Sequence, residues 1–292
     1  MTPIVALSQT THLYSLNLRC SVVTEDGRRL FVKASESNSR DMKDFFRTEF
    51  ARESTCLDVL RGLAIPNRVE LPRAELARLT GTQPAYTILL EMVTGKSLER
   101  LRLSPEQKLA AWFFITEHLC AIRRHEILYT DVKCSNVVAT LRPFRITLID
   151  FNTCIPLESN GRYLANRIGR TPQFSAPEQS TLDKILTERA VVYQHGMLLA
   201  YLLCEISNGH FFVNRDRETK RLSKALSKFG SQPLVDLVLS CVESTVSKRP
   251  ATYEHVLDAI NALPNTRSIA RAKAIWATLR APHAARLAEV NL

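Results

Sequence analysis

The sequence predicts an α+β fold in which a small, strand-rich lobe precedes a larger, helical lobe. Short apolar runs at 16–23 and 29–33, joined by a turn that contains Asp26-Gly27, have the pattern of a β-hairpin. Long segments with helical spacing dominate the chain after Val93. The change falls at Val93-Thr94-Gly95, where a predicted strand ends and glycine permits a turn.

The individual elements follow from the hydrophobic periodicity. In the first lobe, residues 41–63 have helical spacing and residues 85–92 have the composition of a strand. The apolar face of that helix contains Phe45, Phe46, Phe50, Leu57 and Leu60. The later elements are helices at 104–125, 190–206, 231–244, 252–263 and 268–280, with a short strand pair at 136–139 and 145–150. We therefore divide the chain into an N-terminal lobe, 1–93, a C-terminal lobe, 94–264, and a basic helical extension, 265–292.

Glycine content and charge exclude some classes of function and leave others open. The chain has 9 glycines in 292 residues, and the closest pair, Gly161 and Gly169, are eight residues apart. A G-x-G-x-x-G fingerprint or a Walker phosphate-binding loop is therefore excluded. The 39 Lys and Arg residues exceed the 29 Asp and Glu residues, which gives a net charge of +10. That excess favours acidic partners, and a solubilising surface explains it equally well.

Cysteine usage and apolar runs indicate a compartment. The seven cysteines are never closer than 14 residues in sequence. An odd number without a C-x-x-C pair argues against a disulfide framework or a zinc knuckle and suits a reducing compartment. The first residues lack the basic and apolar parts of a secretory signal, and the most apolar run, Met197–Cys204, is shorter than the roughly 20 residues of a membrane span. We expect a cytoplasmic protein, or one of the host cytoplasm or nucleus if the source is a virus or a secreted effector.

Three polar residues around the predicted strand pair indicate a magnesium site. Asp131 and Asn136 lie five residues apart in a polar loop before a short apolar strand, and Asp150 ends the partner strand. Mg²⁺ prefers a few protein oxygen ligands and leaves positions for phosphate oxygens. Either aspartate alone is most often a turn or cap residue. His125 and His195 have no second ligand at metal-binding spacing, and we interpret both as structural.

The order of motifs resembles the protein kinase family across about residues 11 to 264. LYTDVKCSN is similar to the catalytic loop H-R-D-L-K-x-x-N, IDFN to D-F-G, and LFVK to V-A-I-K. RTPQFSAPE is similar to G-T-P-x-Y-x-A-P-E, YQHG to W-S-x-G, KRP to the R-P step of the larger lobe, and ILLEMVTGKSL to the hinge. Each match alone is weak, and their common order makes the resemblance strong. It implies the bilobal protein-kinase-like fold.

The resemblance implies phosphoryl transfer from ATP, with Mg²⁺, to serine or threonine of a protein substrate. Asp131 would accept a hydrogen bond from the attacking hydroxyl, and Lys133 would steady the γ-phosphate. Asn136 and Asp150 would hold Mg²⁺. Lys33 would bind the α- and β-phosphates while paired with a carboxylate of the first helix.

Further roles are implied in the same way. Glu53 is preferred over Glu49 as the partner of Lys33, because apolar residues follow Glu53 at the spacing of the family. Thr171 would lie near the catalytic aspartate, and Glu178 with Arg249 would form a buried structural ion pair. The implied ATP-binding residues are Lys33, Leu90 (the gatekeeper), Glu91, Val93, Ser97 and Val138.

Four departures from the family's pattern stand out. The stretch THLYSLNL has no glycine where the family has its glycine-rich loop, and Phe31 replaces the alanine above the adenine. Tyr129-Thr130 replaces His-Arg, and Val191 replaces a buried aspartate. Asn152 replaces the glycine of D-F-G, and because asparagine tolerates left-handed backbone the turn is expected to survive.

Three alternatives to a protein kinase remain open. The missing glycines and Phe31 favour a pseudokinase that binds nucleotide or acts as a scaffold. A small-molecule phosphotransferase of the same fold shares the D-x-x-x-x-N spacing, although Lys133, Thr171 and the A-P-E segment argue against it. A basic nucleic-acid binder is the most distant reading, because the chain has no motif of such a module. We expect no specific nucleic-acid partner.

Partners are indicated by two basic segments. Arg162, Arg167 and Arg170 indicate an acidic or pre-phosphorylated protein substrate. Residues 266–292 carry an apolar side, interrupted by Pro282, among basic residues. A helix packed on the large lobe explains this segment, and contact with a membrane surface or an acidic partner is the alternative. The oligomeric state is not predicted.

Overall fold

The computed structural model describes residues 4–13, 17–24, 29–35, 40–69, 86–156, 163–164, 171–180 and 185–290. The chain forms two compact units. The first contains Met1–Arg61 and Ile65–Thr94, and the second contains Gly62–Ala64 and Gly95–Leu292. The first is rich in strands and the second is mostly helical, so the fold is the predicted α+β, bilobal one.

The first unit is a five-stranded antiparallel sheet with one helix. Its elements are β1 (Ile4–Leu13), β2 (Asn17–Thr24), β3 (Arg29–Ser35), α1 (Arg40–Val59), β4 (Arg68–Val69) and β5 (Tyr86–Glu91). The strand order is β1-β2-β3-β5-β4. Strand β1 was not predicted, and the predicted turn residues Asp26-Gly27 lie outside the described residues.

Alternation along β3 separates an apolar face from a face with Phe31 and Lys33. Leu30, Val32 and Ala34 are buried on the first face. In the register with β5, Phe31 pairs with Leu90 and Lys33 pairs with Ile88. On α1, Cys56, Leu57 and Leu60 are buried as the periodicity predicts. The side chains of Phe45 and Phe46 are not among those that the structure describes. Helix α1 contacts β4 and β5, so β3 and α1 belong to one packed body.

The second unit contains short strands around a helical core. Its strands are β6 (Lys96–Ser97), β7 (Ile127–Leu128), β8 (Val137–Leu141), β9 (Phe144–Leu148), β10 (Ile155–Pro156), β11 (Tyr163–Leu164) and β12 (Ile185–Leu186). Its helices are α2 (Pro105–Arg124), α3 (Glu188–Cys204), α4 (Asn208–Val213), α5 (Arg215–Ser227), α6 (Gln232–Cys241), α7 (Tyr253–Asn261) and α8 (Arg267–Val290). The strands pair antiparallel as β6-β8-β9, β7-β10 and β11-β12. Helices α4 and α5 were not predicted, because six residues in α4 and few apolar residues in α5 give no clear period.

Helices α2 and α3 form the core of this unit. Ser104 begins α2 with a capping box, since Gln107 N donates to Ser104 Oγ at 3.2 Å and Ser104 N donates to Gln107 Oε1 at 2.9 Å. Nearly every residue of α3 from Ala190 to Ala200 is buried, which is typical of a helix enclosed by protein on all sides. Helix α3 packs closely against α6 at Gly196, which has no side chain. A Cβ there would lie 2.8 Å from Cys241 Cβ.

An ion pair between the buried Arg249 and the half-buried Glu178 ties the end of the A-P-E segment to the R-P step. Arg249 Nη1 lies 2.6 Å from Glu178 Oε1, and Nη2 donates to Oε2 at 3.0 Å. The guanidinium also donates to three carbonyl oxygens and lies over the Tyr193 ring at 4.7 Å. Such a buried charge is tolerated because every donor is satisfied. The predicted Glu178–Arg249 pair is confirmed.

Helix α8 packs against α2. Trp276 meets Phe113 edge-on at 5.6 Å between ring centroids, and its Nε1 donates to Glu117 Oε2 at 3.0 Å. Arg280 pairs with the same carboxylate at 2.9 Å. Together with Trp276, the buried residues of the helix include Ile269, Ala272 and Leu279. The apolar side of the extension is thus covered within its own unit, and the helix continues past Pro282.

The six cysteines whose side chains are described are free thiols, and five of them are buried. Burial raises the pKa of Cys120 and of Cys241 to about 12, so both keep their protons at neutral pH. None of the helices in the described ranges combines the length and apolarity that a bilayer crossing requires.

Candidate functional site

Three side chains converge around the carboxylate of Asp131. Thr171 Oγ1 donates to Asp131 Oδ1 at 2.8 Å, and Asn136 Nδ2 donates to Oδ2 at 3.0 Å. Lys133 Nζ lies 2.6 Å from Oδ2 and donates to Thr171 Oγ1 at 2.9 Å. Residues up to 40 positions apart thereby form one closed network, with Asp131 only 8% exposed. The second unit brings together the three loop residues that the sequence predicted, and Thr171.

Local structure explains how the loop presents these groups. A 3-10 turn, Cys134–Asn136, connects the loop to β8. Asn136 Nδ2 donates a further hydrogen bond, to the carbonyl oxygen of Asp131 at 3.0 Å. These two bonds fix the amide plane, so the side-chain oxygen of Asn136 is directed away from Asp131.

Asp150 follows β9 beside the same turn. Ile149 N donates to Asn136 O at 2.9 Å, so the residue before Asp150 is bound to the backbone of Asn136. Asp150 has φ +68°, a left-handed conformation that costs free energy in a non-glycine residue. We expected the turn to survive because asparagine at 152 tolerates left-handed backbone. The positive φ falls on Asp150 instead, and Asn152 is not among the described residues with one.

The donor set of Asn136 and Asp150 fits Mg²⁺. Both offer hard oxygen ligands from adjacent strand ends, and two protein ligands leave positions for phosphate oxygens and water. Within the described ranges, no group of three or more His, Cys, Asp or Glu side chains has metal-binding geometry. The two ligands present suit a cation whose remaining positions are taken by phosphate oxygens and water.

Tyr129 occupies the position of the family's histidine. Its hydroxyl donates to Ile149 O at 2.6 Å, and its ring meets Phe151 edge-on at 5.2 Å between centroids. Burial, followed by the Cys154 thiol and the Asp150 carboxylate, raises the pKa of Tyr129 well above its ordinary value. The hydroxyl is therefore a permanent donor that joins the loop to the residue before Asp150.

Thr130, at the position of the family's arginine, joins the loop to the following segment. Thr130 Oγ1 donates to Thr153 O at 2.6 Å. The two residues that replace His-Arg thus each donate to a carbonyl oxygen in the stretch around Asp150. Their replacement keeps the loop attached to that stretch without a charged side chain.

Gln194 on α3 is the functional residue that sequence reasoning missed. Its Nε2 donates to Thr130 O at 2.8 Å, and its Oε1 accepts from Val132 N at 3.1 Å, so one amide binds both neighbours of Asp131. Nε2 also donates to Gln179 Oε1 at 2.9 Å. The available signal was a lone side-chain amide, one helical turn beyond Val191, in a mostly apolar helix.

Lys33 and Glu53 form an ion pair in the first unit. Lys33 Nζ lies 2.6 Å from Glu53 Oε1, and the two side chains are only 11% and 3% exposed. Glu49, the second candidate, pairs with Arg52 at 3.2 Å. The preference for Glu53 is therefore confirmed by the geometry.

The residues assigned to ATP binding are distributed over both units. In the first, Leu90 is buried on β5, and Glu91 Oε2 accepts from Asn67 Nδ2 at 2.8 Å. Val93 follows β5 and is half-buried. In the second, Ser97 and Val138 are register partners between β6 and β8. Gly95 permits that pairing, because a Cβ there would lie 2.5 Å from the Ala139 carbonyl oxygen.

His195 is a structural residue, as predicted. Its Nε2 lies 2.7 Å from Thr116 Oγ1, which donates onward to Trp112 O, and its ring stacks on Trp112 at 4.8 Å. Burial lowers the pKa of His195 to about 3, so the imidazole is neutral. His125 lies at the exposed end of α2.

Comparison with known families gives one match. A family model described as the protein kinase domain matches residues 20–259. A comparison with curated proteins finds no match to the chain. The matched range includes Lys33, Glu53, the Asp131 network and Arg249, and it ends before α8 begins.

Proposed function

The chain belongs to the protein kinase family, and we propose that it transfers the γ-phosphoryl group of ATP to serine or threonine hydroxyls of a protein substrate. The observation that carries this proposal is the closed network of Asp131, Lys133, Asn136 and Thr171. A carboxylate held by three neighbouring side chains is positioned to accept a proton at a fixed point.

Asp131 is the group that orients the attacking hydroxyl and takes its proton as the new phosphorus–oxygen bond forms. The bond between the γ-phosphorus and the β–γ bridging oxygen breaks in the same step, and ADP is the leaving group. Thr171 and Lys133 hold the carboxylate in one rotamer, and Lys133 places a positive charge beside it. That charge would act on the transferring phosphoryl group, where negative charge is spread over the equatorial oxygens. Lys133 and Thr171 together favour a hydroxyl of serine or threonine as acceptor.

Asn136 and Asp150 would hold Mg²⁺, which when bound neutralises charge on the phosphates. Lys33 would bind phosphate oxygens, and Glu53 keeps its ammonium group fixed at 2.6 Å. Leu90, Glu91, Val93, Ser97 and Val138 complete the proposed ATP-binding residues. We also place the protein in the cytoplasm, which its free thiols support.

A second candidate is a kinase-like scaffold that binds nucleotide without transfer. Phe31 favours it, because the half-buried ring lies on the face of β3 that carries Lys33. A phenyl ring there occupies volume that the family leaves to the purine.

Transfer of radiolabelled phosphate to dephosphorylated casein tests the proposal. We expect label on casein with wild-type protein, ATP and Mg²⁺, and a loss of about 10²-fold or more in Asp131→Asn and Asp150→Ala. Asp258→Asn is the matched control, because Asp258 is exposed on α7 and far in sequence from the network.

Three further results separate the candidates. Phosphoamino acid analysis should find phosphoserine or phosphothreonine. A thermal shift with Mg·ATP, without transfer to casein or to the protein itself, would instead favour the scaffold. Equal transfer by wild type and Asp131→Asn would exclude the assigned mechanism, since the labelling would then come from another source.

A further inference from the structure

Two apolar side chains at the end of α4 are almost fully exposed. Phe212 is 91% exposed and Val213 is 84% exposed. The other large hydrophobic residues exposed in the described ranges reach only 45%. Adjacent residues of this kind are uncommon on a protein surface without a binding role.

The neighbouring contacts hold α4 in place. Phe211 is buried, and the Arg215 guanidinium lies 5.4 Å from its ring centroid. At the other end of α4, Asn208 Oδ1 accepts from Tyr193 Oη at 2.7 Å. Phe212 and Val213 are therefore presented from a fixed helix, so little conformational entropy is lost when they bind a partner.

The next helix, α5, presents a basic stripe. Between Arg215 and Lys228 the chain has six basic and two acidic residues. Glu218, Leu222 and Leu226 are buried on one face. The exposed surface of the helix carries Arg217, Lys220, Arg221, Lys224 and, just after the helix, Lys228, together with one acidic residue, Asp216. Arg217 and Arg221 also pair with Glu218. We call Phe212, Val213 and these five basic residues the α4–α5 surface.

This surface is continuous with the candidate functional site through one short segment. Asn208 N, at the start of α4, donates to Gln173 O at 2.7 Å. Gln173 is two residues after Thr171, whose hydroxyl binds Asp131. A protein bound on the α4–α5 surface is thereby held beside the residues proposed to receive the phosphoacceptor.

We propose that the α4–α5 surface docks an acidic segment of the protein substrate, with an aromatic or aliphatic side chain of that segment against Phe212 and Val213. The inference rests on the proposed function. Charge complementarity requires acidic residues in the partner. The exposed side chains of Phe212 and Val213 require an apolar residue in the partner as well. Continuity with Thr171 favours a substrate over a lipid surface, because docking raises the local concentration of the tethered phosphoacceptor.

Binding is tested directly with a fluorescein-labelled peptide of glutamate and aspartate residues that carries one phenylalanine and one leucine. Fluorescence anisotropy should show binding to the full-length wild-type protein. Phe212→Ser/Val213→Ser and Lys220→Glu/Lys224→Glu should each weaken it about tenfold or more. Arg267→Glu/Arg271→Glu makes the same change of charge at exposed positions of α8 and should retain binding.

Kinetics with dephosphorylated casein, an acidic protein, give the second readout. In both surface variants KM should rise about fivefold or more while kcat stays within about twofold. The reason is that the lost contact binds the substrate equally well in the ground state and in the transition state. Binding of the peptide by a protein that transfers no phosphate would support the surface and contradict the proposed function. Equal affinity of wild type and both variants would overturn the inference. Binding to vesicles of phosphatidylcholine and phosphatidylserine that both variants lose, with no binding of the peptide, would also overturn it and assign the surface to lipid.

Discussion

Gln194 donates its side-chain amide to the carbonyl oxygen of Thr130 at 2.8 Å, from a position one helical turn beyond Val191. Val191 stands where the family carries a buried aspartate, and no carboxylate is available there to bind the catalytic loop. Gln194 Oε1 accepts from Val132 N as well, so the backbone on both sides of Asp131 is held by one neutral group. The Gln194 amide thus takes the place of the carboxylate that Val191 lacks.

Replacement of Gln194 by serine is expected to lower kcat about tenfold. It leaves the buried Thr130 O and Val132 N without this partner, at about 1–3 kcal/mol for each unsatisfied group. Val191→Asp in the same chain should restore much of the loss, because it returns the arrangement of the family. Steady-state kinetics of the single and double variants measure both effects. Equal kcat in wild type and Gln194→Ser would show that the amide does not position Asp131.

Substitutions in the Lys33–Glu53 pair are expected to change the stability of the protein and its phosphate transfer independently. Glu53→Leu alone should lower the free energy of unfolding by about 3–5 kcal/mol, because it removes the carboxylate that lies 2.6 Å from a buried ammonium group. Lys33→Met/Glu53→Leu should recover most of that stability while phosphate transfer remains lost. Urea unfolding and the casein assay measure the two quantities. Recovery of transfer in the double variant would remove Lys33 from the proposed ATP-binding residues.

Gly196 predicts a steric effect between α3 and α6. Gly196→Ala should destabilise the protein by about 1–3 kcal/mol, because its new Cβ would lie 2.8 Å from both Cys241 Cβ and Val242 Cγ1. Gly209→Ala on α4 is the matched control. The nearest atom to its Cβ is Ser207 Oγ at 3.7 Å, so stability should be unchanged or slightly raised. Thermal unfolding measures the Tm of both variants. Similar Tm values for Gly196→Ala and Gly209→Ala would contradict the packing argument.

His195 predicts how stability depends on pH. Its pKa is lowered to about 3 in the folded chain, against about 6.5 when unfolded. Below about pH 6.5 the unfolded chain binds a proton that the folded chain does not, so the free energy of unfolding falls as pH falls. The slope contributed by this residue approaches about 1.4 kcal/mol per pH unit.

Urea unfolding over this range, for wild type and His195→Gln, measures that slope. Below about pH 6, the slope of the free energy of unfolding against pH should be smaller in the variant by the contribution of about one proton. At higher pH, where the imidazole is neutral in both states, the two proteins should have parallel profiles. A parallel profile throughout would mean that His195 is not the group responsible.

Residues that act through local pattern could be predicted from the sequence. The spacing around Asp131 and Asn136 is a property of one loop, and the network there matches it. The preference for Glu53 over Glu49 came from the apolar residues that follow it at the spacing of the family, and those residues are buried on α1. Such features depend on a few consecutive residues and on helical periodicity.

Features that depend on distant side chains could not be predicted. Gln194 reaches the loop across 64 positions of sequence, and a glutamine in an apolar helix carries no local sign of its partner. The left-handed backbone at Asp150 rather than Asn152 depends on how the chain leaves β9. The α4–α5 surface also escaped prediction, since exposure of Phe212 is decided by packing and apolar residues are ordinarily assigned to the core.

A folded recombinant protein requires helix α8. The family match ends at residue 259, but Ile269, Trp276 and Leu279 complete the hydrophobic packing of α2 beyond that limit. A chain truncated at the edge of the match would expose Phe113 and leave Glu117 without two of its partners. Recombinant protein cut there should aggregate during purification, because the hydrophobic packing of the second unit includes helix α8.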